Sequence, residues 1–135
     1  MGSIIRAADA FGCAAIHLLG ITPQPDQAVV LKTAKNAEKT VSFQYWFDGE
    51  EFLQKGAKPD WPIYALETSS QSRSLWETRF RFPCYLVFGH EVMGVSESFL
   101  SQELIAIPML GIKNSLNVAV AAGIAMNTLA QQYSQ

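Results

Sequence analysis

Residues 107–125 read IPMLGIKNSLNVAVAAGIA, and they carry the clearest structural signal in this chain of 135 residues. An apolar run at residues 104–107 predicts a β-strand, which Pro108 ends because proline cannot donate a hydrogen bond to a neighbouring strand. Gly111 lies in the loop that follows, and residues 115–132 form an apolar, alanine-rich run of helical length. The stretch therefore predicts a strand, a glycine-bearing loop and a long helix in succession.

The sequence before this stretch shows the same alternation of short apolar strands and helices. We predict helices at residues 2–11, 29–39, 48–55 and 97–102. Asp48 and Ser96 are placed to cap two of them. Strands are predicted at residues 14–19, 41–46, 63–66 and 85–88, with loops at 21–27 and 68–74. Strands that alternate with helices form a parallel sheet, so the predicted fold class is α/β with helices flanking that sheet.

The length and composition of the chain fit one compact domain over residues 1–135. Hydrophobic residues make up 49%, enough for a real core, and 135 residues are too few for two ordinary domains. The chain opens on a helix at Gly2, whereas such a sheet usually opens on a strand, so we expect the domain to lack the usual first strand. Charged residues make up only 16%, which suggests that a second copy of the chain covers part of the surface.

The cysteines, the apolar runs and the net charge argue against several classes of protein. Cys13 and Cys84 stand in apolar surroundings, which is typical of core thiols rather than of a disulfide or a metal pair, so no metal is expected. The longest apolar stretch, residues 118–126, is far shorter than the ~20 residues of a membrane span, and no signal peptide is visible. We therefore expect a soluble, cytoplasmic protein. A net charge of −2 argues against strong unaided affinity for nucleic acid, although it leaves room for a local basic patch.

Glycines after two of the predicted strands point to a ligand crevice. Gly89 and Gly94 follow one strand, and Gly111 follows the next. Glycine permits a positive φ and lets the backbone approach a ligand closely. Because ligands of open α/β sheets bind at the carboxyl ends of the strands, we expect these loops to line one crevice. The GxGxxG fingerprint of dinucleotide-binding folds does not follow any predicted strand.

Three segments together resemble a known enzyme family. They are GSIIRAADAFG at residues 2–12, LVFGHEVMGVS at 86–96 and IPMLGIKNSLNVAVAAGIA at 107–125. In this order and spacing they are similar to the three motifs of the SpoU (TrmH-like) RNA ribose methyltransferases. The resemblance implies transfer of a methyl group from S-adenosylmethionine to a ribose 2′-hydroxyl of tRNA or rRNA. It also implies a homodimer and an α/β fold with a deep C-terminal trefoil knot.

The resemblance implies a set of site residues, several of which have a simpler interpretation. The catalytic residues would be Arg6, Glu91, Ser115 and Asn117. The simpler interpretations are, in that order, a surface arginine, a solvated carboxylate and two helix caps. A guanidinium stays protonated at neutral pH, so Arg6 would position the RNA phosphate and stabilise developing charge. The cofactor-binding residues would be Leu66, Gly89, Gly94, Ile107, Met109 and Leu116.

Three alternatives remain open at this point. Arg73, Arg79 and Arg81 lie in SRSLWETRFRF, which is either a solvated surface run or an RNA-contacting patch. Family members usually carry an asparagine two residues before the glycine of the first motif, and that position falls before Met1. The alternative function is therefore a truncated or degenerate homologue that dimerises and binds cofactor or RNA without catalysis. The third hypothesis is a knotted methyltransferase that acts on a base nitrogen, against which the sequence SLNV at residues 115–118 argues.

Overall fold

The computed structural model describes residues 2–20, 41–89, 94–113 and 115–135, and the chain divides into two compact units, Met1–Gly56 and Ala57–Gln135. The predicted loop at residues 21–27, the predicted helix at 29–39 and Glu91 lie outside the described residues. Within the described residues, no helix is long and apolar enough to cross a membrane. A single domain over residues 1–135 stays a prediction.

The first unit contains two parallel strands and short helices. Its elements are α1 (Gly2–Ala10), β1 (Ala15–Leu19), β2 (Ser42–Trp46) and α2 (Gly49–Glu51), which continues into a π-helical turn at Phe52–Gly56. The strands β1 and β2 pair in parallel from Ala15↔Ser42 to Leu19↔Trp46. These elements confirm the helix predicted at residues 2–11 and the two predicted strands of this part of the chain to within one residue. In the helix predicted at residues 48–55, residues 49–51 are α-helical and residues 52–55 belong to the π-helical turn.

The end of α1 and the start of α2 follow the signals in the sequence. The helix α1 buries Ile5 and Ala8 on one face and leaves Arg6 exposed. Gly12 ends it with a φ of 74°, a backbone conformation that favours glycine. Asp48 caps α2, because its side chain accepts a hydrogen bond from the Glu51 N–H over 2.9 Å.

An aromatic cluster, which we define as His17, Trp46 and Phe52, joins the two strands to the π-helical turn. The Trp46 Nε1–H donates to His17 Nδ1 over 3.0 Å, and the ring centroids of His17 and Phe52 lie 4.8 Å apart. Burial lowers the pKa of His17 below its ordinary value of 6.5. Gly56 lies against the indole so closely that a Cβ there would come within 2.5 Å of Trp46 Cζ2.

The second unit contains a four-stranded parallel sheet. Its elements are β3 (Ile63–Leu66), β4 (Arg73–Ser74), β5 (Tyr85–Val87), β6 (Glu103–Ala106) and α3 (Val118–Tyr133). The strand order is β4-β6-β3-β5 and every neighbouring pair is parallel. This confirms the α/β class with a parallel sheet. One buried hydrophobic cluster of the unit contains Tyr64, Leu75, Phe80, Ile105 and Ala125.

Two predictions about the loops and turns of this unit are wrong. The predicted loop at residues 68–74 contains β4, which pairs with β6 through Arg73↔Ile105 and Ser74↔Ala106. Two residues are too few to show the alternation that reveals a strand. The predicted helix at residues 97–102 is a single 3-10 turn at Glu97–Phe99, and the Ser96 side chain makes no capping hydrogen bond.

The predicted start of the long helix is also wrong. The helix α3 begins at Val118 rather than at residue 115, so Ser115 lies in the preceding loop. The physical reason is the cap: Asn117 has extended backbone and its side-chain oxygen accepts the Ala119 N–H over 2.8 Å. A capping residue adopts non-helical dihedral angles, so the helix cannot include it or the residues before it.

The side chain of Gln132, near the C-terminal end of α3, forms hydrogen bonds to the backbone of the segment that contains Thr78 and Phe80. The Gln132 Nε2–H donates to the Thr78 carbonyl oxygen over 2.9 Å, and the Phe80 N–H donates to Gln132 Oε1 over 2.9 Å. Thr78 and Phe80 are both buried. Gln132 therefore satisfies two backbone groups that water does not reach, as a neighbouring strand would.

Candidate functional site

One cavity of the second unit lies where β3, β5 and β6 end. Its volume is about 180 Å³, and its walls come from the segments that follow these three strands and from the start of α3. Ordinary ligand pockets begin at ~300 Å³, so the described walls enclose part of a cofactor-sized ligand rather than all of it. The lining residues are Leu66, Glu67, Thr68, Phe88, Gly89, Gly94, Val95, Ala106, Ile107, Met109, Ser115, Leu116, Val118 and Ala121.

The structure brings together all six residues that the sequence assigned to cofactor binding. Each of them lines this cavity, and Ser115 of the predicted catalytic set lines it too. Asn117 is not among the lining residues, but it caps the helix at whose start the cavity lies. Arg6 is exposed on α1 of the first unit. The three arginines of the predicted RNA patch are exposed and do not line the cavity: Arg73, Arg79 and Arg81.

The two glycines of the second motif are required because the backbone at Gly89 lies directly against the backbone of Gly94 and Val95. A Cβ at Gly89 would lie 2.2 Å from both the Gly94 carbonyl carbon and the Val95 nitrogen, which are backbone atoms. Gly94 has a φ of 73°, a conformation that side-chain-bearing residues rarely adopt. The wall of the cavity at this point is therefore made of main chain, which leaves peptide groups next to the ligand space.

Sequence reasoning missed Glu67, which lines the cavity directly after β3. Its backbone N–H donates to the Ile105 carbonyl oxygen over 2.9 Å, and its Oε2 accepts the Val95 N–H over 2.9 Å. Its carbonyl oxygen accepts a hydrogen bond from the Ser72 hydroxyl. Among the described residues that line the cavity, Glu67 alone is ionisable. Its position after a buried strand is a signal that was available, but its contact with Val95 joins residues 28 apart in sequence.

An apolar stripe, which we define as Leu116, Val120 and Ile124, runs from the loop before α3 onto the first half of that helix. Val120 and Ile124 are four residues apart and so share one face of the helix, Leu116 lies two residues before the helix begins, and all three are exposed in the chain. Leu110 and Ile112 in the preceding loop are exposed as well, at 87% and essentially completely. Apolar side chains that are grouped in this way mark an interaction surface more often than solitary ones do.

Comparisons with known proteins agree with the motifs and with the fold. A model of the SpoU rRNA Methylase family matches residues 1–127. The tRNA (guanosine(18)-2′-O)-methyltransferase of Thermus thermophilus is 30% identical over 126 residues, which are 92% of this chain and 64% of that enzyme. The chain thus spans less than two thirds of the length of this relative.

Two solved structures are similar over almost the whole chain. An AdoMet-bound rRNA methyltransferase from Sinorhizobium meliloti matches with a TM-score of 0.88 and 25% identity, over 99% of this chain and 51% of that one. A structure described as giving insight into the 2-OH methylation of C/U34 on tRNA matches with a TM-score of 0.88 and 28% identity, over 98% of this chain and 87% of that one.

Proposed function

The chain belongs to the SpoU rRNA Methylase family, and on this basis we propose that it transfers a methyl group from S-adenosylmethionine to a ribose 2′-hydroxyl of tRNA or rRNA. The observation that carries the proposal is the cavity of the second unit, on which all six residues assigned to the cofactor converge. The chain's relatives include a tRNA (guanosine(18)-2′-O)-methyltransferase and a 23S rRNA (guanosine-2′-O-)-methyltransferase, which is why the proposal names both kinds of RNA. A substrate of this kind implies a cytoplasmic protein.

The described lining of the cavity fits the adenosine part of the cofactor. Leu66, Ile107 and Leu116 supply apolar side chains, which suit a flat adenine ring. Gly89 and Gly94 supply main chain without a Cβ, so peptide N–H and C=O groups are available for polar contacts. When bound, S-adenosylmethionine supplies a methyl group that its sulfonium makes electrophilic. The protein then has to align the ribose hydroxyl and stabilise the loss of its proton.

We assign these tasks to the residues of the three motifs. The exposed guanidinium of Arg6 binds the phosphate beside the target ribose and offsets negative charge that develops on the hydroxyl oxygen. Ser115, which lines the cavity, orients the hydroxyl, and Glu91 orients the polar groups around it. The Asn117 side-chain oxygen caps α3, so we assign Asn117 to holding the start of that helix beside the cavity.

We further propose that the chain acts as a homodimer. The apolar stripe of Leu116, Val120 and Ile124 is exposed in the single chain, and a second copy would cover it. In that dimer, Arg6 of one protomer binds the RNA whose ribose lies at the cavity of the partner. Sedimentation at micromolar concentration tests this: the double substitution Val120→Asp and Ile124→Asp should give monomers, and a monomeric unsubstituted chain contradicts the proposal.

The deep C-terminal knot is also part of the proposal. It rests on the membership of the family, whose resemblance implied the knot, and on the match to solved structures over almost the whole chain. The exposed arginines at positions 73, 79 and 81 are proposed to contact RNA phosphates. Their removal should raise the KM for RNA and weaken its salt dependence, while kcat stays unchanged.

The second candidate function is a homologue that binds cofactor or RNA without catalysis, which the net charge of −2 favours. One pair of measurements separates the two. Titration calorimetry with S-adenosylmethionine tests the cavity, and transfer of labelled methyl groups to bulk tRNA and rRNA tests the reaction. Binding with transfer supports the enzyme, binding without transfer supports the second candidate, and the absence of both contradicts the use of the cavity for this cofactor.

A further inference from the structure

We propose that Glu67 is a positioning residue, which holds the Gly94–Val95 segment in the wall of the cavity and thereby sets the affinity for the cofactor. The inference rests on the proposed function for the identity of the ligand. The contacts that support it are properties of the protein alone. Glu67 is not expected to take part in methyl transfer itself.

Glu67 stands at the point where three segments of the second unit meet. Its N–H is bonded to Ile105 in β6, so its backbone is fixed to the centre of the sheet. Its carboxylate accepts a hydrogen bond from the Val95 N–H over 2.9 Å, so the Gly94–Val95 segment is bonded to the same residue. The carboxylate therefore joins the position of the Gly94–Val95 segment to that of the sheet.

The carboxylate also limits the space for a side chain at position 94. A Cβ built on Gly94 would lie 3.2 Å from Glu67 Oε2 and 3.3 Å from Oε1. Gly94 therefore packs against the whole carboxylate, and a side chain at position 94 would displace it. The fit between these two residues is a second reason, in addition to the positive φ, why glycine occupies the turn.

Loss of the carboxylate would leave a buried donor without its acceptor. Val95 is only 6% exposed, so its N–H cannot exchange Glu67 for bulk water without movement of the segment. Such movement would disturb the close packing of Gly89 against the Gly94–Val95 peptide. Both glycines and Val95 line the cavity, so the ligand space would change shape.

The experiment compares Glu67→Ala with Glu67→Gln by titration calorimetry with S-adenosylmethionine and with S-adenosylhomocysteine. Glu67→Ala should weaken both ligands about tenfold or more, because the hydrogen bond that holds the Val95 N–H in the wall is lost. Glu67→Gln keeps an acceptor oxygen at the same distance along the side chain, so it should stay within about threefold of the unsubstituted protein.

Gln132→Ala serves as the matched control in the same unit. It also removes hydrogen bonds to buried backbone, at Thr78 and Phe80, but these bonds hold the far end of α3 and not the Gly94–Val95 segment. It should lower the Tm at least as much as Glu67→Ala and leave both ligand affinities unchanged. In the ligand-free protein, the Val95 amide should exchange its hydrogen faster in Glu67→Ala than in Gln132→Ala.

Three results would overturn the inference. The first is a Glu67→Ala variant that binds both ligands as the unsubstituted protein does. The second is a Glu67→Gln variant as weak as Glu67→Ala for the cationic ligand only, because the carboxylate would then act by its charge. The third is unchanged exchange of the Val95 amide in Glu67→Ala. If the unsubstituted protein bound neither ligand, the proposed function would fail, and the exchange measurement would still decide the positioning role.

Discussion

The cavity of the second unit and the aromatic cluster of the first each contain a glycine that has no room for a side chain, but the atoms that fill this room differ. A Cβ at Gly89 would meet the backbone of Gly94 and Val95 at 2.2 Å, whereas a Cβ at Gly56 would meet ring carbons of Trp46 at 2.5 and 2.8 Å. A ring can shift by a few tenths of an ångström within its pocket. The Gly94–Val95 backbone cannot move away from Gly89 without straining the hydrogen bond from the Val95 N–H to Glu67.

The binding site is therefore limited by backbone atoms at its glycine, whereas the structural core is limited by side-chain atoms. Part of the cavity wall is main chain held by Glu67, so the shape of that part depends on two glycines and on one carboxylate. The aromatic cluster consists of side chains that adapt to one another by small movements. We therefore expect substitutions in the two regions to differ in size and in which property they change.

The largest effect is expected from Gly89→Ala. The added methyl group overlaps backbone atoms, so we expect a loss of at least about 3 kcal/mol in the free energy of unfolding and no measurable binding of S-adenosylmethionine. Urea denaturation and titration calorimetry measure the two quantities. Gly111→Ala is the matched control in the other loop, because a Cβ at Gly111 meets nothing within 4 Å. Equal losses of stability and of cofactor affinity in the two variants would contradict the importance of the close packing at Gly89.

The next effect is expected from Arg6→Ala, which tests what the first unit contributes to the reaction. Arg6 is exposed on α1, so its removal should leave the Tm and the affinity for S-adenosylmethionine nearly unchanged. Methyl transfer to RNA should fall about 100-fold or more, as is usual when one stabilising donor is removed from a transition state. Ser3→Ala, on the same helix and also exposed, is the control. A parallel loss of cofactor binding would show that Arg6 acts through the fold.

The main-chain character of the cavity is also why so much of it was predictable from the sequence. Gly89 and Gly94 follow a short apolar run, and glycine directly after a buried strand indicates a tight turn or a close approach of main chain. Glu67 was not predictable in the same way, because a carboxylate after a strand is common and its role depends on a partner distant in sequence. The strand Arg73–Ser74 was missed because it exists only through its pairing with β6.

A smaller effect is expected from Gly56→Ala in the aromatic cluster. The new methyl group pushes on the Trp46 ring, which is tied to His17 by a hydrogen bond, so we expect a loss of about 1–2 kcal/mol in stability. Cofactor affinity should not change. Trp46→Phe provides the partner for a double-mutant cycle, since a smaller ring makes room for the methyl group. Additive losses in the double variant would show that the ring does not cause the effect.

The smallest effect is expected from pH, through His17. Burial lowers the pKa of His17, and its Nδ1 accepts a hydrogen bond from Trp46 that a protonated nitrogen could not accept. Above the ordinary pKa of 6.5, His17 is neutral in both the folded and the unfolded chain, so its contribution to stability is complete. As the pH falls below 6.5, the unfolded chain takes up a proton that the folded chain resists. Stability therefore decreases from that point down to the lowered pKa of the folded state, and the contribution of His17 is constant below it.

His17→Gln isolates this contribution, because glutamine does not titrate, and the chain's other histidine is present in both proteins. The Tm of the unsubstituted protein should fall between about pH 7.5 and 5.5, and it should fall less steeply in His17→Gln. Cofactor affinity, extrapolated to the fully folded protein, should show no difference in pH dependence between the two. Equal slopes of Tm against pH would remove His17 as a cause of acid sensitivity. A difference in the slopes for cofactor affinity would mean that the aromatic cluster influences the cavity, and the separation between the two regions would then be wrong.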